Sequence, residues 1–172
     1  MDSRKYQFDW SLLGDIKKGR PNLGNQVNVE IYRLMQFTFR DVMEQVMGSE
    51  KTDEVFYQSG KLAGKAFYDQ VITAAEDIND FIRQLQQVLK EYGIGILRIE
   101  KADLDAGELI LTVSEDLDCS GMPDQEMEIC KYDEGFIAAL LESYTQAPFL
   151  VKEIDCWCTG DRTCRFHAKI IK

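Results

Sequence analysis

All five cysteines of the chain, Cys119, Cys130, Cys156, Cys158 and Cys164, lie in its C-terminal third, and three of them fall inside the closing segment KEIDCWCTGDRTCRFHAK. Thiolates that converge on one point need a cation to neutralise them, and tetrahedral zinc accepts sulfur and carboxylate ligands together. Cys130, Glu153, Cys156 and Cys164 form the candidate set, which would make the end of the chain a metal clasp rather than a catalytic nucleophile. An odd number of cysteines, crowded at one end, fits a secreted disulfide framework poorly and a reducing, cytoplasmic setting better.

A length of 172 residues is enough for one domain with a substantial core and short for two. Hydrophobic residues at 45% and charged residues at 29% set the chain apart from disordered sequences. Its 20 basic and 30 acidic residues give a formal charge of −10. A surface of that sign repels a phosphate backbone, so no direct nucleic-acid binding is expected. No basic N-terminal stretch precedes an apolar run, and the longest apolar runs fall well below the roughly 18 residues of a membrane span.

The first 24 residues carry Gly14, Gly19, Pro21 and Gly24 and read as a turn-rich arm whose Tyr6, Phe8 and Trp10 can pack on the body or on a partner. Residues 25–172 read as the domain proper. Val27, Ile31, Leu34, Met35, Thr38, Val42 and Val46 recur at the spacing of one helix face and predict a first long helix up to Met47. A second helix is expected over about Thr52 to Ile72; its Gly60 and Gly64, one turn apart, read as close helix packing, since a phosphate loop would need a Lys-Ser/Thr ending that is absent. A third follows the acidic pair Glu76-Asp77 and runs to Tyr92, with Ile78, Phe81, Ile82, Leu85, Val88 and Leu89 as its apolar stripe. GIGILRIEKA and GELILTVSED then read as two strands joined by a turn near Asp105-Ala106-Gly107. Asp116 to Glu128 reads as a solvated acidic loop, with Cys119 a bystander in it. A fourth helix is expected from Asp133 to Thr145, and two last strands, Phe149 to Cys156 and Thr163 to Ile170, flank the turn Thr159-Gly160-Asp161-Arg162. Helices grouped beside a mostly antiparallel four-stranded sheet make an α+β domain.

Spacing alone leaves the metal open, because a free cysteine also packs as a small buried hydrophobe. Cys156 and Cys164 stand on opposite arms of the last hairpin at similar distances from its turn, which brings their side chains near one another. Cys158, two residues after Cys156, would share its face on a strand and so competes with Glu153 for the fourth place. His167, the one histidine, reads as a hydrogen-bonded surface residue, and triad chemistry has no partners to stand on. A closed four-ligand site would be structural, and could contribute on the order of 10 kcal/mol to folding.

The run EIDCWCTGDRTCRFHAK resembles the C-terminal signature of the V4R (4-vinyl reductase) domain, and RPNLGNQVNVEIYRLM and YQSGKLAGKAF are similar to that family's weaker marks. The resemblance covers about Asn22 to Lys172. It implies a fold like that of the TRAPP vesicle-tether subunits, often dimeric, whose helices and sheet enclose an apolar cavity. It also implies zinc held by three cysteines and a glutamate, as in the family's aromatic-hydrocarbon sensors, and that pattern falls on Cys130, Glu153, Cys156 and Cys164. Phenol sensors hold the ring hydroxyl with a histidine and a tryptophan; Phe81 and Leu109 stand in the corresponding regions, so phenol is not the expected ligand. A pocket lined by Phe67, Phe81, Leu97, Leu109, Leu111 and Phe136 would suit a hydrocarbon, lipid or tetrapyrrole-like molecule.

Three functions follow from the resemblance. The first is a small-molecule sensor domain that signals through a homodimer or a separate regulatory protein. The second is an enzyme or accessory protein in reduction of a tetrapyrrole vinyl group, although the sequence carries no dinucleotide fingerprint, flavin motif or iron–sulfur spacing. The third is a structural or tethering subunit.

Overall fold

In the computed structural model, residues 4–103, 106–125 and 127–171 are described. The N-terminal arm holds a 3₁₀ turn, Trp10–Leu13, and a one-turn helix α1, Ile16–Gly19. There follow α2 (Val29–Met47), α3 (Ser49–Val71), α4 (Ile78–Glu91), β1 (Ile96–Asp103), β2 (Glu108–Ser114), α5 (Lys131–Thr145), β3 (Phe149–Asp155) and β4 (Cys164–Ile170). The order of long elements is the one the periodicity predicts, with boundaries shifted by at most three residues. Asp105, placed in the first hairpin turn by the sequence, lies outside the described residues; Gly107 in that turn takes a φ of 67°.

The four strands form one antiparallel sheet in the order β1-β2-β4-β3. Alternate side chains of a strand share a face, so Leu109, Leu111 and Val113 of β2 face inward with Cys164, Phe166 and Ala168 of β4 and with Phe149, Val151 and Glu153 of β3. That alternation is what aims the Glu153 carboxyl into the protein rather than at water. The inward face is covered by α5 and by α4, whose Phe81, Leu85 and Leu89 are buried.

Helix α5 is buried along most of its length, between the sheet and α3. Glycine makes that possible. A Cβ on Gly135 would stand 2.0 Å from the Tyr57 carbonyl oxygen, and one on Gly64 would stand 2.4 Å from that of Phe136. The Gly60/Gly64 pair is therefore a helix-packing groove.

Helix α2 differs from the others. Its apolar stripe exists as the spacing predicts, yet Ile31, Leu34, Met35, Phe39, Val42 and Val46 are exposed, and Arg40 is its only buried residue. Polar contacts at its N-terminal half hold it to the body: Tyr32 Oη donates to Asp118 Oδ1 at 2.8 Å, Gln36 Nε2 to Asp118 Oδ2 at 2.8 Å, and Arg33 Nε to the Leu117 carbonyl at 2.7 Å.

Candidate metal centre and apolar cavity

The cysteines meet at one end of the sheet. Cys130 is the residue that opens α5, Cys156 follows the last residue of β3, and Cys164 begins β4. Cys130 Sγ lies 3.8 Å from both Cys156 Sγ and Cys164 Sγ. A fourth sulfur joins them: Cys119 Sγ is 3.0 Å from Cys164 Sγ, and the ligand atoms of Cys119, Cys130, Cys156 and Cys164 all lie within 4.8 Å of one another, fully buried.

Only the far part of the acidic loop is solvated: residues 123–125, 127 and 128 are exposed, whereas residues 116–120 turn inward, and Cys119 is not a bystander. Asp116 and Asp118 are buried, and Asp116 Oδ1 accepts from the backbone N–H groups of Asp118 at 2.9 Å and Cys119 at 3.0 Å. This aspartate-led turn rolls Cys119 inward. The sequence signal was the spacing Asp-Leu-Asp-Cys, since aspartate favours turns by accepting from N–H groups two or three residues on. High local charge hid it.

Cys158 is buried but stands outside the four sulfurs. Residues Trp157–Thr159 form a 3₁₀ turn rather than a strand, so Cys156 and Cys158 do not share a face. The turn is tied down by the Thr159 and Asp161 N–H groups, which donate to the Cys156 carbonyl, and by Gly160 in the left-handed region at φ 99°. Trp157 Nε1 donates to the Met122 carbonyl at 3.0 Å and fastens the turn to the Cys119 loop.

Glu153 is buried beside Cys130 and Cys156, and neither of its carboxyl oxygens has a hydrogen-bond partner. Burial, with the negative charge of Cys164 and Cys156 nearby, pushes its carboxyl up to about 11. Hydrogen bonds from Cys119, Cys130 and Cys164 hold Cys156 far below the ordinary thiol range. Glu134, also buried, is by contrast satisfied: it takes Lys131 Nζ and Lys152 Nζ at 3.0 Å each and the Glu153 N–H at 3.1 Å.

These residues fit a thiophilic cation. A Zn–S bond of about 2.3 Å in a tetrahedron sets neighbouring sulfurs about 3.8 Å apart, the separation found for Cys130 with both Cys156 and Cys164. The buried carboxyl of Glu153, unpartnered beside converging sulfurs, is a second donor that a cation would satisfy.

Next to the cysteines lies an apolar cavity of about 40 Å³ between α4, α5 and the sheet. Phe81, Leu97, Leu109, Leu111 and Phe136, five of the six residues named from the sequence, line it. Phe67 does not; it lines a separate groove of about 560 Å³ beneath the N-terminal arm, where its ring meets Phe136 edge-on at 5.5 Å. Phe81 stacks on Tyr144 with ring centroids 4.2 Å apart. Two carboxyls that sequence reading missed, Asp116 and Asp133, stand in the cavity wall and also within 4.8 Å of Cys130 Sγ. Burial pushes Asp116 up to about 7 and raises Asp133 well above the usual carboxylate range. His167 is a surface residue paired with Glu108 at 2.7 Å.

Residues 109–170 match the family model of the V4R domain, and the resemblance drawn from the closing segment holds. An uncharacterized protein of Methanocaldococcus jannaschii, MJ0150, is 27% identical over 86% of this chain and 79% of its own length. Among solved structures, a vinyl-4-reductase family protein from the same organism aligns over 87% of this chain and 85% of its own, with a TM-score of 0.60 and 18% identity. The phenol-responsive sensory domain of the transcription activator PoxR, with phenol, aligns over 84% of this chain and 75% of its own (TM-score 0.63, 13% identity). A trafficking protein particle complex subunit 3 from Naegleria fowleri, covalently bound to palmitic acid, aligns over 86% and 98% (TM-score 0.66, 11% identity). The fold is the one shared by that TRAPP subunit, the vinyl-4-reductase family protein and the PoxR sensory domain.

Proposed function

We propose that the chain is a zinc-stabilised small-molecule-binding domain of the sensor kind, whose ligand is apolar and whose output passes through a homodimer or a separate regulatory protein. The observation that carries this reading is the cavity itself. Its wall is aliphatic and aromatic on every side except where Asp116 and Asp133 connect it to the cysteine cluster.

Two proteins of the same fold support an apolar ligand: one structure holds phenol and another carries palmitic acid. Phe81 and Leu109 provide no polar group for a ring hydroxyl, which favours a hydrocarbon, a lipid or a tetrapyrrole-like molecule over a phenol. Pockets that hold such molecules span about 300–1,000 Å³, so a cavity of about 40 Å³ must widen to admit one. Widening between α4, α5 and the sheet would press on Asp116, whose backbone is a contact of α2: Arg33 Nη2 donates to the Asp116 carbonyl at 3.2 Å. Ligand state would thereby reach the exposed apolar stripe of α2, the surface on which a second copy would pack.

Zinc in this reading is structural. Cys130, Cys156 and Cys164 would grip it, with Glu153 and Cys119 both at hand for the fourth place. The metal would neutralise the gathered thiolates and tie the start of α5 to the β3–β4 end.

Native mass spectrometry of the purified protein tests the proposal. The expected result is one zinc per chain and an apolar adduct released on denaturation. Absence of an adduct, together with no saturable uptake of a fluorescent hydrocarbon probe, would overturn the sensor reading.

A further inference from the structure

The four sulfurs outnumber the three that a three-cysteine, one-glutamate centre needs. From this geometry we infer that Cys119 supplies the fourth ligand, so that the metal is held by sulfur alone and Glu153 is left outside the coordination shell. The inference rests on the metal reading above and settles which donors that centre uses.

Three observations carry it. Cys119, Cys130, Cys156 and Cys164 each present a ligand atom within 4.8 Å of the other three, and among the described residues no Glu153 oxygen joins that set. Cys119 is fully buried and its backbone is fixed by Asp116 Oδ1, so its sulfur is delivered by a built turn and not by a wandering loop. The adjustment it needs is small: Cys119 Sγ and Cys164 Sγ, 3.0 Å apart, must separate by under 1 Å to reach the edge of about 3.8 Å that a tetrahedral zinc imposes. Bringing a Glu153 oxygen into the shell would mean expelling a sulfur already there.

A consequence follows for α2. Asp116, Leu117 and Asp118, the residues just before Cys119, are the groups to which Tyr32, Arg33 and Gln36 bond. With Cys119 on the metal, the ion pins the loop on which the first long helix is anchored. A centre completed by Glu153 would leave that loop without a bond to the ion.

X-ray absorption of the zinc-loaded protein, and the visible spectrum of its cobalt(II) form, decide between the two shells. The wild-type protein should show four sulfur neighbours. Cys119→Ser should show three sulfurs and one lighter atom, with sulfur-to-cobalt charge-transfer intensity lower by about a quarter, one thiolate of four. Glu153→Gln should leave the four-sulfur signature unchanged. Hydrogen exchange over residues 29–47 should accelerate in Cys119→Ser and not in Glu153→Gln. Three sulfurs and one oxygen in the wild type would overturn the assignment of Cys119 while leaving a metal centre intact. Failure of the wild type to take up either metal would overturn the metal reading itself, and Cys119 with it.

Discussion

Gly60 packs so tightly against Tyr132 that a Cβ built on the glycine would stand 2.0 Å from the tyrosine's carbonyl oxygen. The obstacle is main chain, not a side chain that can swing aside, so Gly60→Ala must push α3 away from α5. Overpacking of a well-filled interior costs about 1–3 kcal/mol, and a backbone contact belongs at the upper end. Urea unfolding should show that loss for Gly60→Ala and almost none for Gly19→Ala, where nothing lies within 4 Å of the added carbon. Equal stability of the two variants would refute the close-packed α3–α5 seam.

Leu109 is almost completely buried on the inward face of β2 and borders the cavity. Truncation to alanine removes buried methyl groups and enlarges a void, a change that costs about 2–5 kcal/mol in cores. The same change should improve uptake of small apolar probes, because the enlarged space is lined by apolar side chains and stays dry. Calorimetry with benzene-sized ligands checks it: lower stability together with tighter binding is the expected pair, and lower stability without binding would mean that the chamber collapses rather than opens.

Regular periodicity made most of the architecture legible. Phe81, Leu85 and Leu89 recur at helical spacing, and Leu109, Leu111 and Val113 alternate as on a half-buried strand, so elements and faces follow from local pattern. Of the apolar pocket set, Phe67 went astray because both sides of α3 carry apolar residues and periodicity does not say which side faces the chamber. Cys119, Asp116 and Asp118 were illegible for a different reason. Their burial comes from three-dimensional convergence of loops, and a dense acidic run normally marks solvent. Cys158 was misplaced because strand alternation was carried through Trp157–Thr159, where the chain coils into a 3₁₀ turn. Close helix packing by α3 is legible in Gly60 and Gly64, but which helix packs there is not, and Gly135, the facing glycine of α5, carries no local signal of its own.

The stripe Ile31, Leu34, Met35, Phe39, Val42 and Val46 runs the length of α2 and faces outward in a single chain. Contiguous apolar surface of this extent is a mark of association. Leu34→Glu combined with Val42→Glu should convert a dimer to a monomer in sedimentation equilibrium, with little change in the far-ultraviolet circular dichroism, since neither side chain is part of the core. A wild-type protein that sediments as a monomer at all concentrations would end the proposal that this face joins two copies.

Asp116 gives the molecule a distinctive response to pH. Burial, with the charge of Asp118 beside it, pushes its carboxyl from the ordinary 3.8 up to about 7. A carboxyl whose pKa rises on folding binds its proton more tightly in the folded chain. Its contribution to stability is therefore complete below the unfolded-chain value of about 4, and it is lost as pH climbs through about 7. Metal binding by thiolates runs the other way, strengthening as pH rises, so the wild-type curve alone mixes two opposing slopes. Asp116→Asn keeps an acceptor for the Cys119 N–H and removes the titrating group, so subtracting its urea-derived stability from that of the wild type isolates the pH dependence of the carboxyl. The difference should fall steadily between about pH 4 and pH 7 in the wild type's disfavour. A flat difference would mean that Asp116 titrates alike in the folded and unfolded chains, and that the wall between cavity and cysteines is wetter than its burial implies.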